Sequence, residues 1–476
     1  MGRVTVALIV SSWVIPISIL VNRIVPDPYM DEIFHVPQAQ QYCKGNFTSW
    51  DPMITTLPGL YFFSLAHVAS LFPGILLTQV ASSYSDTCST SILRSTNGAL
   101  AVICSILIYQ IITCLRPTLD ERKATLYAFV LSLCGITYCS ARYVFCQPEE
   151  DYLFSAMLGA LAVLIRQTNI IWMLFVACAG MIDCTLARRK DEVQLGYANA
   201  PDQKSDYFAP SEGVASGSNL RKRRFNNAVG LFDEIQDILL MAWHLKWELL
   251  VSFSPFVLVL AAFVAFVGWN GSVVLGAKEA HAVSPHFAQV LYYSLVSTLF
   301  MVPVHFTPSR AASLIHSFQK NMPLSLFQWF TAFTAGFLSV HFFSVAHPYL
   351  LSDNRHYPFY LWRKIIKLHW SMKYVMVPLY IYSWFSISNV LAKVQKKIWV
   401  LAYFVASAAA LIPAPLIEFR YYSIPFFFLV LHSHVDDDRS WLFMGILFTA
   451  INVFTMFMFL FRPFHWQHEA GTQRFI

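Results

Sequence analysis

Residues 4–21 read VTVALIVSSWVIPISILV, an apolar run that contains no charged side chain. A helix of about 18 residues covers about 27 Å, which approaches the roughly 30 Å of a bilayer's hydrocarbon core. Arg3 precedes the run and Asn22-Arg23 follows it, without a small-residue cleavage pattern between them. We therefore expect a first membrane helix that is retained in the mature chain.

Similar runs recur to the end of the chain and predict a polytopic membrane protein. Apolar residues make up 57% of 476 positions and charged residues 13%, a composition that few soluble domains share. Further spans are predicted at residues 92–115, 124–146, 249–268, 290–304, 324–346, 374–390, 398–413, 422–432 and 441–461. Because a helix satisfies its own backbone in lipid, we expect an all-α fold with about 10–13 transmembrane helices.

Loop composition divides the chain into three parts. Residues 1–187 form a predicted N-terminal membrane module, with a folded luminal loop at 26–56. Residues 188–245 form a hydrophilic loop whose Arg and Lys clusters favour the cytoplasm. Residues 246–476 form the C-terminal membrane module, with a second luminal loop around 347–360.

Two glycosylation triplets and the cysteines bear on the compartment. Asn46 and Asn270 begin the triplets Asn-Phe-Thr and Asn-Gly-Ser, and both fall in loops expected to be luminal. The nine cysteines lie mostly in apolar segments without metal-ligand or paired-loop spacing, so they are interpreted as small core residues; examples are Cys104, Cys114, Cys134 and Cys178.

Net charge and motif content narrow the functional classes. A net charge of +6 gives no nucleic-acid signal. No P-loop, dinucleotide fingerprint, nucleophile elbow or Cys/His metal spacing appears in a suitable context, so we predict neither a metal nor a cofactor.

The polar stretch after the first span is the most informative one. Residues 27–37 read DPYMDEIFHVP, in which Asp27 is a predicted N-cap, Pro28 starts a helix and Pro37 ends it. Asp31 and His35 then share a face, with Glu32 beside them. A carboxylate at the membrane surface can accept a proton from a hydroxyl group. The alternative is an ordinary solvated acidic helix.

Four further polar stretches lie near predicted span ends. Residues 50–61, WDPMITTLPGLY, predict a turn that leads into a helix at the water boundary. Residues 347–357, HPYLLSDNRHY, offer Arg355 and His356 to a phosphate, or alternatively an internal Asp353–Arg355 pair. Residues 166–169 and 418–422 place charge close to hydrocarbon, where structural neutralisation is the alternative interpretation.

Five of these segments, taken in order, resemble one known family. Residues 29–40, 50–60, 166–172, 346–360 and 418–421 are similar to the dolichyl-phosphate-glucose-dependent α-1,2-glucosyltransferases, which add the third glucose to the lipid-linked oligosaccharide. The resemblance implies a C-type membrane glycosyltransferase fold in the endoplasmic reticulum membrane, with the active site in the lumen. It also implies dolichyl-phosphate-glucose as donor and a diglucosylated, dolichyl-diphosphate-linked oligosaccharide as acceptor.

The resemblance and the charge chemistry together select the candidate site residues. The resemblance implies inversion at the sugar carbon with Asp31 as base and Glu32 as its catalytic neighbour. Charge chemistry makes Arg355 and His356 candidates for the donor phosphate, with Arg420 and Arg94 behind them. The remaining substrate-binding candidates are His35, Trp50, Asp51, Asp353 and Asn354.

One segment departs from the family pattern. Members carry two apolar segments before the Arg-Gln-Thr-Asn motif, whereas residues 151–165 hold one, so about 17 residues are missing by the length of a minimal span. A short isoform or an imperfect gene model would account for this. Two alternative functions remain at this stage: another dolichyl-phosphate-sugar-dependent transferase, and a multispan transporter or channel-associated protein.

Overall fold

The computed structural model describes residues 1–73, 87–135, 152–198, 231–279, 283–320, 322–467 and 471–475. The helices of the N-terminal half are α1 (Gly2–Ile24), α2 (Glu32–Cys43), α3 (Gly59–Leu71), α4 (Thr90–Leu115), α5 (Glu121–Gly135), α6 (Tyr152–Ile165), α7 (Asn169–Ala198), α8 (Leu231–His244) and α9 (Lys246–Asn270).

The C-terminal half continues the same all-helical pattern. Its helices are α10 (Ala288–Phe300), α11 (Val302–His305), α12 (Pro308–Lys320), α13 (Met322–Phe342), α14 (Pro348–Ser352), α15 (Tyr357–Leu361), α16 (Met372–Val375), α17 (Val377–Leu391), α18 (Lys397–Leu411), α19 (Phe419–His432) and α20 (Asp438–Phe461). A π-helical turn covers Trp362–Ile366. Two short strands, β1 (Phe464–His465) and β2 (Thr472–Gln473), pair antiparallel after the last helix.

Six helices of the described ranges are long and apolar enough to cross a membrane: α1, α4, Asn169–Arg188 of α7, α9, Met372–Leu391 and α20. Four shorter apolar helices accompany them, namely α3, α6, α10 and α18. The all-α, multispan fold class is therefore confirmed. The predicted number of crossings and the three-part division of the chain stay predictions.

A buried aromatic core joins the helices of the C-terminal half. Tyr293 of α10 and Tyr403 of α18 are both fully buried, and their hydroxyl groups contact each other. The Tyr403 hydroxyl also donates to the Pro425 carbonyl of α19 at 2.9 Å. This contact fixes α19, whose first turn carries Arg420.

The predicted helix at residues 28–37 is wrong at both ends. Helix α2 begins at Glu32, has Asp31 at its N-cap and continues through Pro37 to Cys43. Proline removes one helical hydrogen bond, yet the second half of α2 is held by tertiary contacts. Gln40 Nε2 donates to the Cys88 carbonyl at 3.1 Å, and Cys43 is bonded to Cys88.

The interpretation of the cysteines as small core residues is also wrong in part. Cys43 and Cys88 form a disulfide that ties the end of α2 to the start of α4. Because 45 residues separate the two positions, their spacing gave no pairing signal. Of the four cysteines given as examples, Cys104 is half-buried and Cys114 and Cys178 are exposed in the isolated chain, whereas the side chain of Cys134 lies outside the described set.

Gly59 explains how α3 reaches its position. A Cβ atom at this residue would lie 2.6 Å from the Leu164 carbonyl oxygen, so only glycine permits the approach to the end of α6. The contact brings residues 50–60 beside the turn at 166–169. Two distant motifs are thereby joined by backbone packing.

Helix α6 forms most of the segment at residues 151–165 that departs from the family pattern. Its 14 residues cover about 21 Å, which is short for the hydrocarbon core of a bilayer. The acidic residues before it, Glu149 and Glu150, lie outside the described residues.

The disulfide yields a stability prediction. Replacing both Cys43 and Cys88 by serine should lower the midpoint of heat inactivation by several degrees. Cross-linking a loop of 45 residues restricts the unfolded chain by about 4 kcal/mol in the chain-entropy estimate. Heat inactivation of microsomes measures the change, with the exposed Cys114→Ser variant as control. Equal midpoints for the double variant and the wild type would contradict the prediction.

Candidate functional site

A cavity of about 1060 Å³ opens where the end of α1, the start of α2, the start of α4 and the start of α19 meet. Its volume exceeds the range of ordinary small-molecule pockets. The charged and imidazole side chains in its wall come from sequence-distant motifs: Asp31, Glu32, His35, Arg94, Arg166, Asp353, Arg355, His356, Glu418 and Arg420. The fold therefore brings together most of the residues that the sequence selected.

Arg94 organises the loop between α1 and α2. Its guanidinium binds the Glu32 carboxylate, with a shortest N–O distance of 2.6 Å, and its side chain is 10% exposed. It also donates to the carbonyls of Val25 and Asp27 at 2.6 and 2.9 Å, and to Asn22 Oδ1 at 3.1 Å. The charge and the hydrogen-bond donors of Arg94 are thus engaged by protein atoms of residues 22–32.

The backbone around Asp31 is bent and held in place. Met30 has a φ of 57°, in the left-handed region that a residue with a side chain seldom adopts. The Tyr29 N–H donates to Glu32 Oε2 at 3.1 Å, which closes the turn before α2. Asp31 makes no side-chain cap hydrogen bond, so its carboxylate faces the cavity instead of its own helix.

Asp31 has one ionic contact in the described structure. Its carboxylate is 70% exposed and lies 3.3 Å from Arg420 Nη1. Arg420 also forms an ion pair with Glu418, through its Nε atom. The Tyr421 ring lies within cation-π distance of two guanidinium groups, 4.9 Å from that of Arg166 and 5.7 Å from that of Arg420.

The charges in the cavity wall can be accounted for pair by pair. Glu32 binds Arg94, Asp353 binds Arg355 and Glu418 binds Arg420. These pairs leave one carboxylate, Asp31, with only the 3.3 Å contact to an arginine already paired. They also leave one guanidinium, Arg166, without a carboxylate at ion-pair distance among the described residues.

The turn at residues 353–356 forms a compact ionic unit. Arg355 binds Asp353 through two parallel hydrogen bonds of 2.9 and 2.8 Å, and His356 Nε2 lies 3.4 Å from the same carboxylate. Burial acts to raise the pKa of Asp353, but hydrogen bonds from His356 and Arg355 outweigh it and hold that pKa well below its usual range. The internal pair expected as the alternative is present, and both partners also line the cavity.

His35 lies beside Asp31 in the wall, as their spacing predicted. Its Nδ1 atom is 2.5 Å from the Tyr61 hydroxyl. Burial lowers the pKa of His35, which keeps the ring neutral near pH 7. The ring can therefore exchange hydrogen bonds without adding a positive charge next to Asp31.

Three of the sequence-selected residues are not part of this wall in the described structure. Trp50 packs edge-on against Tyr61 with the ring centroids 5.9 Å apart. Asp51 Oδ1 accepts from the Met53 N–H at 2.9 Å, as in a local turn. Asn354 Oδ1 accepts from Trp466 Nε1 at 2.8 Å. Their substrate-binding roles stay predictions.

Two side chains of the turn at residues 166–169 donate hydrogen bonds to backbone carbonyl groups, while Asn169 Oδ1 is buried without a hydrogen-bond partner in the described structure. Gln167 Nε2 donates to the Thr55 carbonyl at 2.9 Å, and Asn169 Nδ2 donates to the Ala162 carbonyl at 2.8 Å. Both side chains are at least 96% buried. Their hydrogen bonds hold the turn so that Arg166 faces the cavity.

Sequence reasoning missed two contributors to this site. Tyr29 lies in the cavity wall, and Trp466 reaches it from beyond the last long helix. Tyr29 was within a selected motif but was assigned no task. The only signal at residues 462–475 was a tryptophan among charged residues after an apolar run, which is also typical of a membrane-interface anchor.

The two glycosylation triplets differ in their surroundings. Asn46 is exposed after α2, and the Thr48 hydroxyl donates to its Oδ1 atom at 3.1 Å. Asn270 ends α9, and its Nδ2 atom donates to the carbonyls of Ser272 and Val274 at 2.8 Å each. The amide nitrogen of Asn270 is thus engaged by its own turn.

Fold and site together define a multispan membrane protein with a large charged cavity at the ends of its helices. The chain belongs to the DIE2/ALG10 family, whose sequence profile matches residues 25–431. No solved structure matches it.

Relatives over the full length carry one name, Dol-P-Glc:Glc(2)Man(9)GlcNAc(2)-PP-Dol alpha-1,2-glucosyltransferase. The protein of that name from Arabidopsis thaliana is 53% identical, with 100% of both chains covered. The one from Homo sapiens is 31% identical over 96% of this chain and 94% of its own. The one from Yarrowia lipolytica is 28% identical with the same coverage. The family resemblance in the sequence is confirmed.

The alignment with the Arabidopsis relative also bears on chain length. It spans 513 positions and covers all of this chain, which has 476 residues. About 37 positions, the difference between 513 and 476, therefore have no counterpart here. This agrees with a missing segment, while its location after residue 151 stays a prediction.

Proposed function

We propose that this chain transfers glucose from dolichyl-phosphate-glucose, in α-1,2 linkage, to the diglucosylated oligosaccharide on dolichyl diphosphate. The shared name of full-length relatives supports this reaction over another sugar step and over transport. The mechanism rests on the pattern of ion pairs in the cavity wall. Among the charged side chains there, Asp31 and Arg166 are the acid and the cation with the fewest ionic contacts.

Asp31 is the general base in this proposal. Its side chain is 70% exposed, lines the cavity and has a single ionic contact in the described structure, so an acceptor hydroxyl can approach it. Asp31 takes the proton of the acceptor's 2-hydroxyl group while that oxygen forms a bond to C1 of the donor glucose. The bond between C1 and the phosphate oxygen breaks at the same time, and its electron pair leaves with dolichyl phosphate. A single displacement of this kind inverts C1.

Arg166 is the first candidate for the leaving phosphate. A guanidinium presents two parallel N–H groups that match phosphate oxygens. Because no described carboxylate lies within ion-pair distance of Arg166, the departing phosphate can bind its guanidinium without breaking an ion pair. Arg420, Arg355 and His356 line the same cavity and add positive charge around it. Arg166 therefore comes before Arg355, Arg420 and Arg94, the arginines that the sequence favoured for the donor phosphate.

Glu32 and Arg94 act as positioning residues. Their ion pair holds the turn that presents Asp31, and the hydrogen bonds of Arg94 extend along residues 22–27. Glu32 is committed to Arg94, which argues for Asp31 as the base of the two neighbouring acids. The neutral His35 ring can orient the acceptor by hydrogen bonding.

A luminal site in the endoplasmic reticulum completes the proposal. The Cys43–Cys88 disulfide lies next to α2, and such bonds are typical of oxidising compartments. The exposed Asn46 lies on the same segment. Arg116, at the other end of α4, is about 33 Å along the helix from Arg94. That distance matches the thickness of a bilayer core, which supports a cytoplasmic position for the basic turn after α4 in this proposal.

The base assignment predicts the effect of one substitution. Asp31→Asn should lower glucose transfer about 100- to 10,000-fold, because the amide cannot accept the hydroxyl proton. Transfer from dolichyl-phosphate-glucose is measured in microsomes lacking the endogenous enzyme. The control is Asp27→Asn, an exposed acid on the same luminal segment that lies outside the cavity wall. Normal transfer by Asp31→Asn at normal protein level would exclude this role.

The phosphate assignment predicts a different kinetic change. Arg166→Gln should raise the KM for dolichyl-phosphate-glucose and lower kcat, because both the bound donor and the departing phosphate lose a charge-assisted contact. Arg166→Lys should recover part of the loss by restoring the charge without the fork. Arg122→Gln, at an exposed position after α4, is the control. A donor KM unaffected by Arg166→Gln would reject the assignment.

Sidedness is tested by glycosylation at Asn46. Asn46→Gln should remove one glycan, seen as a faster band that no longer shifts on deglycosylation. Asn270→Gln should change the band less, because the Asn270 amide is engaged by its own turn. A glycan-free wild type whose residue 46 reacts with cytosolic reagents would overturn the luminal orientation.

A further inference from the structure

The chain after α20 folds back over the cavity as a small hairpin. The hairpin comprises residues 464–467 and 471–475, with Phe464 opposite Gln473 and His465 opposite Thr472. Gln473 and Phe475 are 5% and 7% exposed, so one side of the hairpin is packed against the protein. Two strands of two residues each are not stable alone, and tertiary contacts must hold this segment.

The hairpin is anchored to two neighbouring elements. Arg474 Nη1 donates to the carbonyls of Phe459 and Leu460 at 2.8 and 3.0 Å, satisfying the last turn of α20. The Phe475 ring packs edge-on against Tyr357 with a centroid distance of 4.7 Å. These contacts fix its position beside the turn at residues 353–356.

From that position the hairpin holds the guanidinium of Arg355 on two sides. Gln473 Oε1 accepts a hydrogen bond from Arg355 Nη1 at 2.9 Å. The Trp466 ring lies 4.8 Å from the guanidinium carbon, and its Nε1 atom donates to Asn354 at 2.8 Å. Together with Asp353, these contacts leave Arg355 little freedom to change rotamer.

The same hairpin also holds the loop that precedes α2. The Arg474 N–H donates to the Tyr29 hydroxyl at 2.7 Å, and that hydroxyl donates to the Arg474 carbonyl at 2.8 Å. Tyr29 is two residues from Asp31, and its N–H binds Glu32. One short segment therefore connects the loop that carries the acid with the turn that carries Arg355.

We propose that residues 464–467 and 471–475 are a positioning element of the transferase site. Gln473 and Trp466 fix the Arg355 guanidinium in the cavity wall, and the main chain of Arg474 fixes Tyr29 beside the acidic loop. The Tyr29 and Arg355 side chains also interact directly with each other, and the hairpin contacts both of them. The kinetic test of this proposal rests on the proposed function. The chemical test, the rate at which Arg355 is modified, rests on geometry alone.

The kinetic test separates positioning from stability. Gln473→Met keeps the side-chain length but removes the acceptor, and we expect the donor KM to rise about tenfold, the effect of one hydrogen bond to a charged group. Gln473→Glu, which keeps an acceptor, should recover most of the affinity. Thr472→Ala, at an exposed position of the same hairpin, should behave as wild type. All rates are normalised to protein level in the membrane.

A double-variant cycle identifies the residue through which Gln473 acts. Gln473→Met should add little in an Arg355→Lys background, because the contact it removes is already lost. Trp466→Ala should resemble Gln473→Met, and Trp466→Phe should be milder because an aromatic face remains below the guanidinium. Additive effects of Gln473→Met and Arg355→Lys would overturn positioning through Arg355.

A chemical readout is independent of any glucose transfer. Arg355 is 19% exposed, so phenylglyoxal should modify it slowly in the solubilised wild type. Peptide mass spectrometry should show faster modification in Gln473→Met and Trp466→Ala and an unchanged rate in Thr472→Ala. Unchanged rates throughout would overturn the hairpin proposal. A wild type that shows the expected reactivity but transfers no glucose would instead count against the proposed function.

Discussion

Eight ionised side chains line a cavity that lies against apolar helices, where an unpaired charge costs several kcal/mol. The arrangement limits this cost by pairing acids with arginines from other segments. Arg94 is the deepest case, since its guanidinium binds one carboxylate and three further oxygen atoms. The loop that carries Asp31 is held by these contacts with the Arg94 guanidinium. The position of the Asp31 carboxylate therefore depends on an ion pair that takes no part in the chemical step.

The pairing also explains how two neighbouring acids differ in role. Glu32 is 33% exposed and bound by Arg94, whereas Asp31 is 70% exposed with one contact of 3.3 Å. Sequence spacing places both at the start of one helix and cannot distinguish them. The distinction comes from Arg94, a residue on another helix 62 positions later.

Helix positions were predictable where apolar length alone decides them. The predicted spans at 4–21, 249–268 and 441–461 fall within α1, α9 and α20. An apolar run of that length can satisfy all its backbone hydrogen bonds within itself only by forming a helix. The prediction failed around Pro37, where local propensity favours a helix end. There the Cys43–Cys88 bond and the packing of α2 override propensity, and neither is visible from spacing.

The site divides in the same way. The charged motifs identified most of the cavity wall, since charge near hydrocarbon has few structural uses. The pairing of Arg355 with Asp353 was one of the predicted alternatives. Partners distant in sequence were not predictable, because Arg166 meets Tyr421 and Arg355 meets Gln473 only through tertiary packing. The hairpin of residues 464–467 and 471–475 carried the weakest signal of all, because two-residue strands have no periodicity to detect.

The position of the cavity at helix ends follows from the two substrates that the proposed reaction must join. Both carry a dolichyl chain that stays in the hydrocarbon, while the phosphate and the sugars need water or polar partners. Donor and acceptor can therefore meet only near the boundary, where short helices leave room. Helices α3 and α6 have 13 and 14 residues, too few to span the roughly 30 Å core, and the close contact at Gly59 joins them there. Arg166 directly follows α6, so the one guanidinium of the cavity wall that has no described carboxylate within ion-pair distance lies at the end of a helix too short to span that core.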